Sequence, residues 1–424
     1  MINNSSSNGD SLDKRVENNH VLRLKRNKIL LPIAKGLAWF YVKTTSYKHY
    51  EIPTKTFELM RHQKKHRDIS LCFIESHESM PEVVITPYAI SWHCGGDAPF
   101  VFSGSNLFKK DSGKRVRLLK YILDRTGVVT VDTEVTPRAF ASSLASDVEQ
   151  IASAYRNLFF FPEGTRSKNG SIQDFNSAAF QGLIDAALKG KIVYIIPVKI
   201  DYSHLSELSF FAAHNELETL KTLTFSEPFK YMTKSGQLNS LRDAYYFTHY
   251  IDEEKYAYLE DRVRSGIIDY KSLWKEFEEK FEKKYTFKAR DMKYWKVHMG
   301  DVEISFGESL LVEKNCDSKY RKELAKQSRD MCIDLAKILK IHVVSEAIVR
   351  INPEFGAPIN NRELYYSVVD VVKDLAPYHG RFRHFSALTR PAEIVKTSGI
   401  EINSELLEGY KIYANKIQPY LPKK

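Results

Sequence analysis

The chain of 424 residues carries 63 Lys and Arg against 53 Asp and Glu, a net charge of +10, and is 43% hydrophobic and 12% aromatic. That much apolar side chain excludes wholesale disorder, and the length allows two or three domains at roughly 150 residues each, or one enlarged α/β domain. Four cysteines without a CxxC pair exclude a disulfide scaffold and a thiolate zinc site of the usual spacing, and they suit a reducing cytoplasm.

Residues 1–20 are polar and Ser/Asn-rich, with no apolar run of signal-peptide type, and read as a disordered tail. Residues 21–69 mix cations with apolar groups and read as an N-terminal helical region. Leu22, Leu24, Ile29, Ile33, Leu37 and Phe40 share one helical face, rimmed by Arg23, Lys25, Arg26 and Lys28. A solvated charged face and contact with an anionic membrane surface are both open readings. The stretch ILLPIAKGLAWFYVK, broken by Pro32, Lys35 and Gly36, is too short to span a bilayer. The expected location is therefore cytoplasmic, peripheral on a membrane, with no transmembrane helix.

Short apolar runs follow: SLCFI (70–74), EVVITPYAI (82–90), PFVFSG, GVVTVDTEV (127–135), NLFFFPEG (157–164) and KIVYIIPVKI (191–200). All read as strands. Helical stretches such as KRVRLLKYILDR and TPRAFASSLASDVEQIASAYR lie between them. Continuous Val/Ile/Phe runs alternating with helices predict an α/β fold, a mostly parallel sheet flanked by helices. The α/β domain is placed at 70–350, with 210–296 as a helical insertion, VEISFGESLLV (302–312) as one returning strand, and a helix at 318–340. Residues 351–424 form a C-terminal helical region.

Three segments fall near the carboxyl ends of predicted strands, where open α/β sheets place ligands. SWHCGGDAPF holds His93 and Asp97, the minimum for a general base with an orienting carboxylate. A cysteine-phosphatase loop is excluded, because the sixth residue after Cys94 is Phe100 and not Arg. FFFPEGTRSKNG ends a buried aromatic strand at Pro162. It then clusters Glu163, Gly164, Arg166 and Ser167, a set able to grip phosphate and a hydroxyl. IIPVKIDYSHLSE carries Pro197 inside an apolar strand, which marks an interruption of the sheet.

Taken in order, HCGGD, FPEGTRS and IIPVKIDY resemble the motifs of the glycerolipid acyltransferase superfamily, most of all its glycerol-3-phosphate acyltransferases. APFVFSGSNLF and ISFGESL resemble further segments of that group, and the likeness covers residues 80–210 and 300–350. It implies His93 as the base that deprotonates the acceptor hydroxyl, with Asp97 orienting it. It also implies Glu163, Gly164, Thr165, Arg166 and Ser167 as the acceptor grip, and Pro197 in the lining of the donor site. The implied donor is acyl-CoA or acyl carrier protein, and the acceptor is glycerol 3-phosphate or a related phosphorylated molecule. No metal or other cofactor is expected. Lysophosphatidate or another lysolipid is the alternative acceptor, and a non-catalytic phospholipid-binding relative is the alternative class. Nucleic acid is not an expected partner, because the cations are scattered rather than interleaved with aromatics.

Two departures stand beside the likeness. The family motif has four residues between His and Asp, whereas His93 and Asp97 are separated by three, Cys94, Gly95 and Gly96. The family's second motif carries an Arg where this chain reads Asp132 and Thr133; Lys114, Arg115 and Arg117 either substitute for it or form a solvated helix face.

Overall fold

The computed structural model describes residues 30–93, 98–104, 125–131, 135–167, 169–205, 299–351, 360–383, 385, 389–398 and 407–422. The tail at 1–20, the basic residues 23–28, Lys114, Arg115, Arg117, Asp132, Thr133 and the insertion at 210–296 lie outside the described residues. The described residues fall into two compact units, one of 30–167, 172–202 and 299–336, the other of 169–171, 203–205 and 337–422.

The first unit opens with α1 (Leu30–Thr45), β1 (Tyr47–Glu51), α2 (Thr54–His66) and β2 (Ile69–Glu75). Next come α3 (Glu82–Tyr88), which runs on as a π-turn to His93, then β3 (Phe100–Gly104) and β4 (Val128–Val131). After them stand α4 (Pro137–Ser153), β5 (Leu158–Phe160), α5 (Ala178–Leu188), β6 (Ile192–Tyr202), β7 (Asp301–Phe306), β8 (Leu310–Leu311) and α6 (Ser318–Leu335). The strands form one sheet in the order β1-β7-β6-β2-β5-β3-β4, with β8 also pairing β6. β2, β5, β3 and β4 pair in parallel, as do β2 with β6 and β1 with β7, while β7 and β8 run antiparallel to β6. The mostly parallel sheet flanked by helices is therefore present.

Local chemistry explains the boundaries. Thr136 caps α4, its hydroxyl accepting the Ala139 N–H, with Pro137 at the first helical position. Asp317 caps α6 through the Lys319 N–H at 2.9 Å. β2 is buried on both faces, as a central parallel strand must be. α4 and α5 approach closely at Gly182, where a Cβ would lie 2.2 Å from the Ala145 carbonyl oxygen. The open groove beside that crossing, lined by residues including Ser142, Glu149, Gln181 and Arg321, holds none of the expected site residues.

Two expectations are corrected. EVVITPYAI is helix and π-turn, not strand. Its β-branched residues favour a strand, but Pro81 and Glu82 start a helix, and Pro87, which lacks an N–H, stands where the coil widens. Residues 302–312 are two short strands rather than one, because Gly307 folds against Pro197 between them.

The second unit is helical, with α7 (Lys340–Ile351), α8 (Asn361–Asp374), α9 (Pro391–Thr397) and α10 (Leu407–Asn415). Arg350 of α7, held by Glu346 one turn earlier at 2.8 Å, ties α7 to α8 through Asp374 at 2.7 Å. Tyr413 of α10 accepts the Leu205 N–H at 2.8 Å through its hydroxyl.

Candidate active site

β2 and β5 are parallel neighbours, with Ile74 opposite Phe160, so the loops leaving their carboxyl ends meet at one edge of the sheet. The β2 loop reads SHESMPE and the β5 loop reads FPEGTRS. They meet on His77.

His77 is held on every side. Its Nδ1 lies 2.8 Å from Glu82 Oε2. Its ring stacks on Phe161 at 3.8 Å between centroids, with 18° between the planes. Its backbone N–H donates to Glu163 Oε2 at 2.9 Å, and its carbonyl accepts the Ser167 N–H at 2.6 Å. Three residues of the β5 loop thus fix one histidine. Gly164 makes the loop's turn at φ +74°, a conformation that disfavours side chains with a Cβ, and its N–H reaches the Phe161 carbonyl at 3.1 Å.

Glu82 begins α3 and is fully buried. Besides His77, it accepts the Glu78 N–H on Oε2 at 2.9 Å and the Ser79 N–H on Oε1 at 3.0 Å. With donors at both oxygens, the ionised carboxylate fits this site best. Burial first, then the Glu78 carboxylate, hold its pKa well above the ordinary carboxylate value, against the opposing pull of the backbone donors and Lys199. The carboxylate is thus a strongly basic partner for the imidazole. Against an ionised Glu82, the His77 tautomer with its proton on Nδ1 donates to Oε2 and has its ring lone pair on Nε2.

Glu163, expected to grip the acceptor, accepts two backbone N–H groups. Oε2 accepts the His77 N–H, and Oε1 accepts the Gln173 N–H at 2.8 Å. Burial raises its pKa to about 8 against those two donors. The Gln173 segment is itself held from α6, where Arg329 donates to the Gln173 carbonyl at 3.0 Å and the Ile172 carbonyl at 3.2 Å. Past the turn, Gly164 and Thr165 are exposed, Arg166 is half-buried and Ser167 is buried. Pro197 lies on β6 opposite Ile74, at the gap between β7 and β8, where its carbonyl accepts the Gly307 N–H at 2.8 Å. A Cβ at 307 would come within 2.5 Å of the proline ring, so the glycine permits this contact. The sheet is interrupted at Pro197, as the sequence predicts.

His93 ends the π-turn after α3; its side chain, and residues 94–97 with Asp97, lie outside the described residues. His77 and Glu82 escaped the reading from sequence, although the signal is there. Four residues separate them, the spacing of the family motif, and they follow directly on the buried strand SLCFIE.

The family described as Acyltransferase matches residues 74–201, a span that begins at the end of β2 and closes in β6. Residues 74–201 are thus similar to an acyltransferase domain. A probable mitochondrial glycerol-3-phosphate acyltransferase of Caenorhabditis elegans is 23% identical over 207 residues. That match covers 46% of this chain and 29% of the worm protein, so the chain spans less than a third of its relative. A structural similarity to the 1-acyl-sn-glycerophosphate acyltransferase PlsC of Thermotoga maritima has a TM-score of 0.33 and 12% identity, covering 75% of this chain and 87% of that one. Among the described residues no helix is long and apolar enough to cross a membrane.

Proposed function

We propose that this protein transfers a fatty acyl chain from acyl-CoA or acyl carrier protein to the hydroxyl of glycerol 3-phosphate, with His77 as general base and Glu82 as its orienting partner. The observation that carries the reading is the 2.8 Å contact between His77 Nδ1 and Glu82 in a loop clamped by FPEGTRS. His77 Nε2 takes the hydroxyl proton as the oxygen attacks the thioester carbonyl. The C–S bond then breaks, and the imidazolium returns the proton to the departing thiolate. Glu82 stabilises the imidazolium, and no covalent acyl-enzyme is needed because the thiolate leaves readily. Arg166, Thr165 and the Gly164 backbone, on the accessible side of the turn, are assigned to the acceptor phosphate. Glu163 is assigned to holding the His77 loop.

Membrane docking belongs to the same reading. Ile33, Leu37 and Phe40, spaced to share one stripe of α1, are 54%, 67% and 61% exposed. Lys43 lies 4.8 Å over the half-exposed Trp39 ring, the pairing of cation and aromatic found at headgroup level. Such a face on a peripheral enzyme would bring the active site to its lipid product.

The test is thiol release from palmitoyl-CoA, with and without glycerol 3-phosphate, dihydroxyacetone phosphate and lysophosphatidate. Release that depends on glycerol 3-phosphate supports the reading, and dependence on lysophosphatidate alone moves the acceptor. Silence with every acceptor and with both donor carriers points to a non-catalytic lipid-binding protein.

A further inference from the structure

Beneath His77 lies a group of buried charges that general-base catalysis does not itself require. Glu75 at the end of β2, Glu78 in the following loop, Glu82 on α3 and Asp201 on β6 are all less than one-tenth exposed, and so is Lys199 on β6. Lys199 Nζ donates to Glu78 Oε1, lies 3.6 Å from Asp201 and reaches the Ile200 carbonyl at 3.1 Å. Glu75 Oε2 accepts the Thr86 hydroxyl at 2.6 Å, and its Oε1 has no partner among the described residues. Glu163 from the β5 loop, Tyr202 on β6 and Cys332 on α6 also feel this cluster, Tyr41 of α1 acts on Tyr202, and the buried Glu303 of β7 pairs opposite Asp201.

We infer that Lys199 is a positioning residue for the base: its buried positive charge keeps Glu82 a hydrogen-bond acceptor and so selects the tautomer in which His77 Nε2 can take a proton. The inference rests on the His77–Glu82 reading above. A carboxyl surrounded by buried carboxylates tends to hold a proton. A protonated Glu82 would donate to His77 Nδ1, place the ring proton on Nε2 and remove the base. Lys199 opposes this by neutralising Glu78, whose backbone N–H already binds Glu82. Burial alone would lower the Lys199 pKa, but Glu78 and Asp201 raise it above the ordinary lysine value, so the ammonium stays charged across the working range. The same charge pulls down the pKa values of Glu75, Glu82 and Glu163.

Two substitutions move the site in opposite directions. Lys199→Met removes the cation, so the acid limb of the kcat/KM profile moves up by about one pH unit, roughly a tenfold loss at a pH on that limb. Glu78→Gln removes a carboxylate and keeps the cation, so the limb moves down. Acceptor KM is unchanged in both, and Lys199→Arg restores the wild-type profile. Purely structural damage would not give opposite shifts. If Lys199→Met fails to fold, Glu78→Gln decides the matter: a limb shifted downward supports the inference and an unmoved limb overturns it. If Lys199→Met folds but is inactive, ¹⁵N NMR of the His77 ring decides, with a proton on Nε2 in support and on Nδ1 against. Profiles of both variants that superimpose on wild type overturn the inference. Full activity in His77→Ala would instead remove the base assignment beneath it, so the two failures are distinguishable.

Discussion

At the ends of β2 and β6, Glu75, Glu82 and Lys199 are shut away from water, while on α1 Ile33, Leu37 and Phe40 stand in it. Each region reverses the ordinary sorting of side chains, and each does so in the direction its task needs. The buried charges have geometry. Lys199 sits against Glu78, and Glu82 receives backbone N–H groups on both oxygens, so their desolvation is offset by charge-assisted hydrogen bonds. The exposed apolar stripe has spacing and a neighbouring cation, and no described residue of its own unit covers it. Buried charge without partners, or exposed apolar groups scattered singly, would carry no such meaning.

The largest way to break this contrast is at Glu82. Glu82→Gln keeps the shape but offers only one acceptor oxygen. We expect kcat to fall by roughly 10³–10⁴-fold, the scale seen when a histidine base loses its orienting carboxylate. Steady-state thiol release measures it, and a change under tenfold would detach Glu82 from the base.

On the exposed face, Leu37→Ser with Phe40→Ser should weaken binding to anionic liposomes by tenfold or more. The reasoning is that each large apolar side chain contributes about 1.5–3 kcal/mol when fully withdrawn from water. Flotation of the full chain reads this, together with acyl transfer from detergent-dispersed donor, which should be little altered. Equal flotation of the variant would show that α1 is not the docking face.

The polar corner also has a pH signature. Burial holds the Glu163 pKa near 8, above the ordinary carboxylate value of about 4.5, so the folded state binds a proton that the unfolded chain has released. Its contribution to stability is therefore present below about pH 4.5 and lost as pH rises toward 8, at a slope approaching 1.4 kcal/mol per pH unit. Denaturant midpoints of wild type and Glu163→Gln, measured across that window, should converge at low pH and separate as pH rises. Parallel curves would contradict the assignment. The smallest expected effect is at the turn between the two loops, where Gly164→Ala should cost about 1 kcal/mol from the positive φ alone, because a Cβ there meets no atom within 4 Å.

Much of the sheet was legible because buried parallel strands are continuous apolar runs. SLCFI lies within Ile69–Glu75, and KIVYIIPVKI overlaps Ile192–Tyr202. EVVITPYAI misleads for the same reason: four β-branched residues in a row look like strand, but the helix start at Pro81 and Glu82 and the buried docking of Ile85 and Thr86 outweigh propensity. The FPEGTRS block was legible as important, but not for what it touches. Nothing in a sequence shows that Phe161, Glu163 and Ser167 close on a histidine 84 to 90 residues earlier. His77 is hard to see in the sequence because its acid is a Glu beyond a proline, while HCGGD presents a nearer Asp with one residue fewer between.

The most direct test of the account is acyl transfer by His77→Ala and His93→Ala, measured side by side on folded protein with palmitoyl-CoA and the acceptor that supports wild-type turnover. The account predicts that His77→Ala loses at least 10²-fold in kcat while His93→Ala stays within a fewfold of wild type. Loss in His93→Ala with turnover retained in His77→Ala would contradict it and return the base to the HCGGD loop.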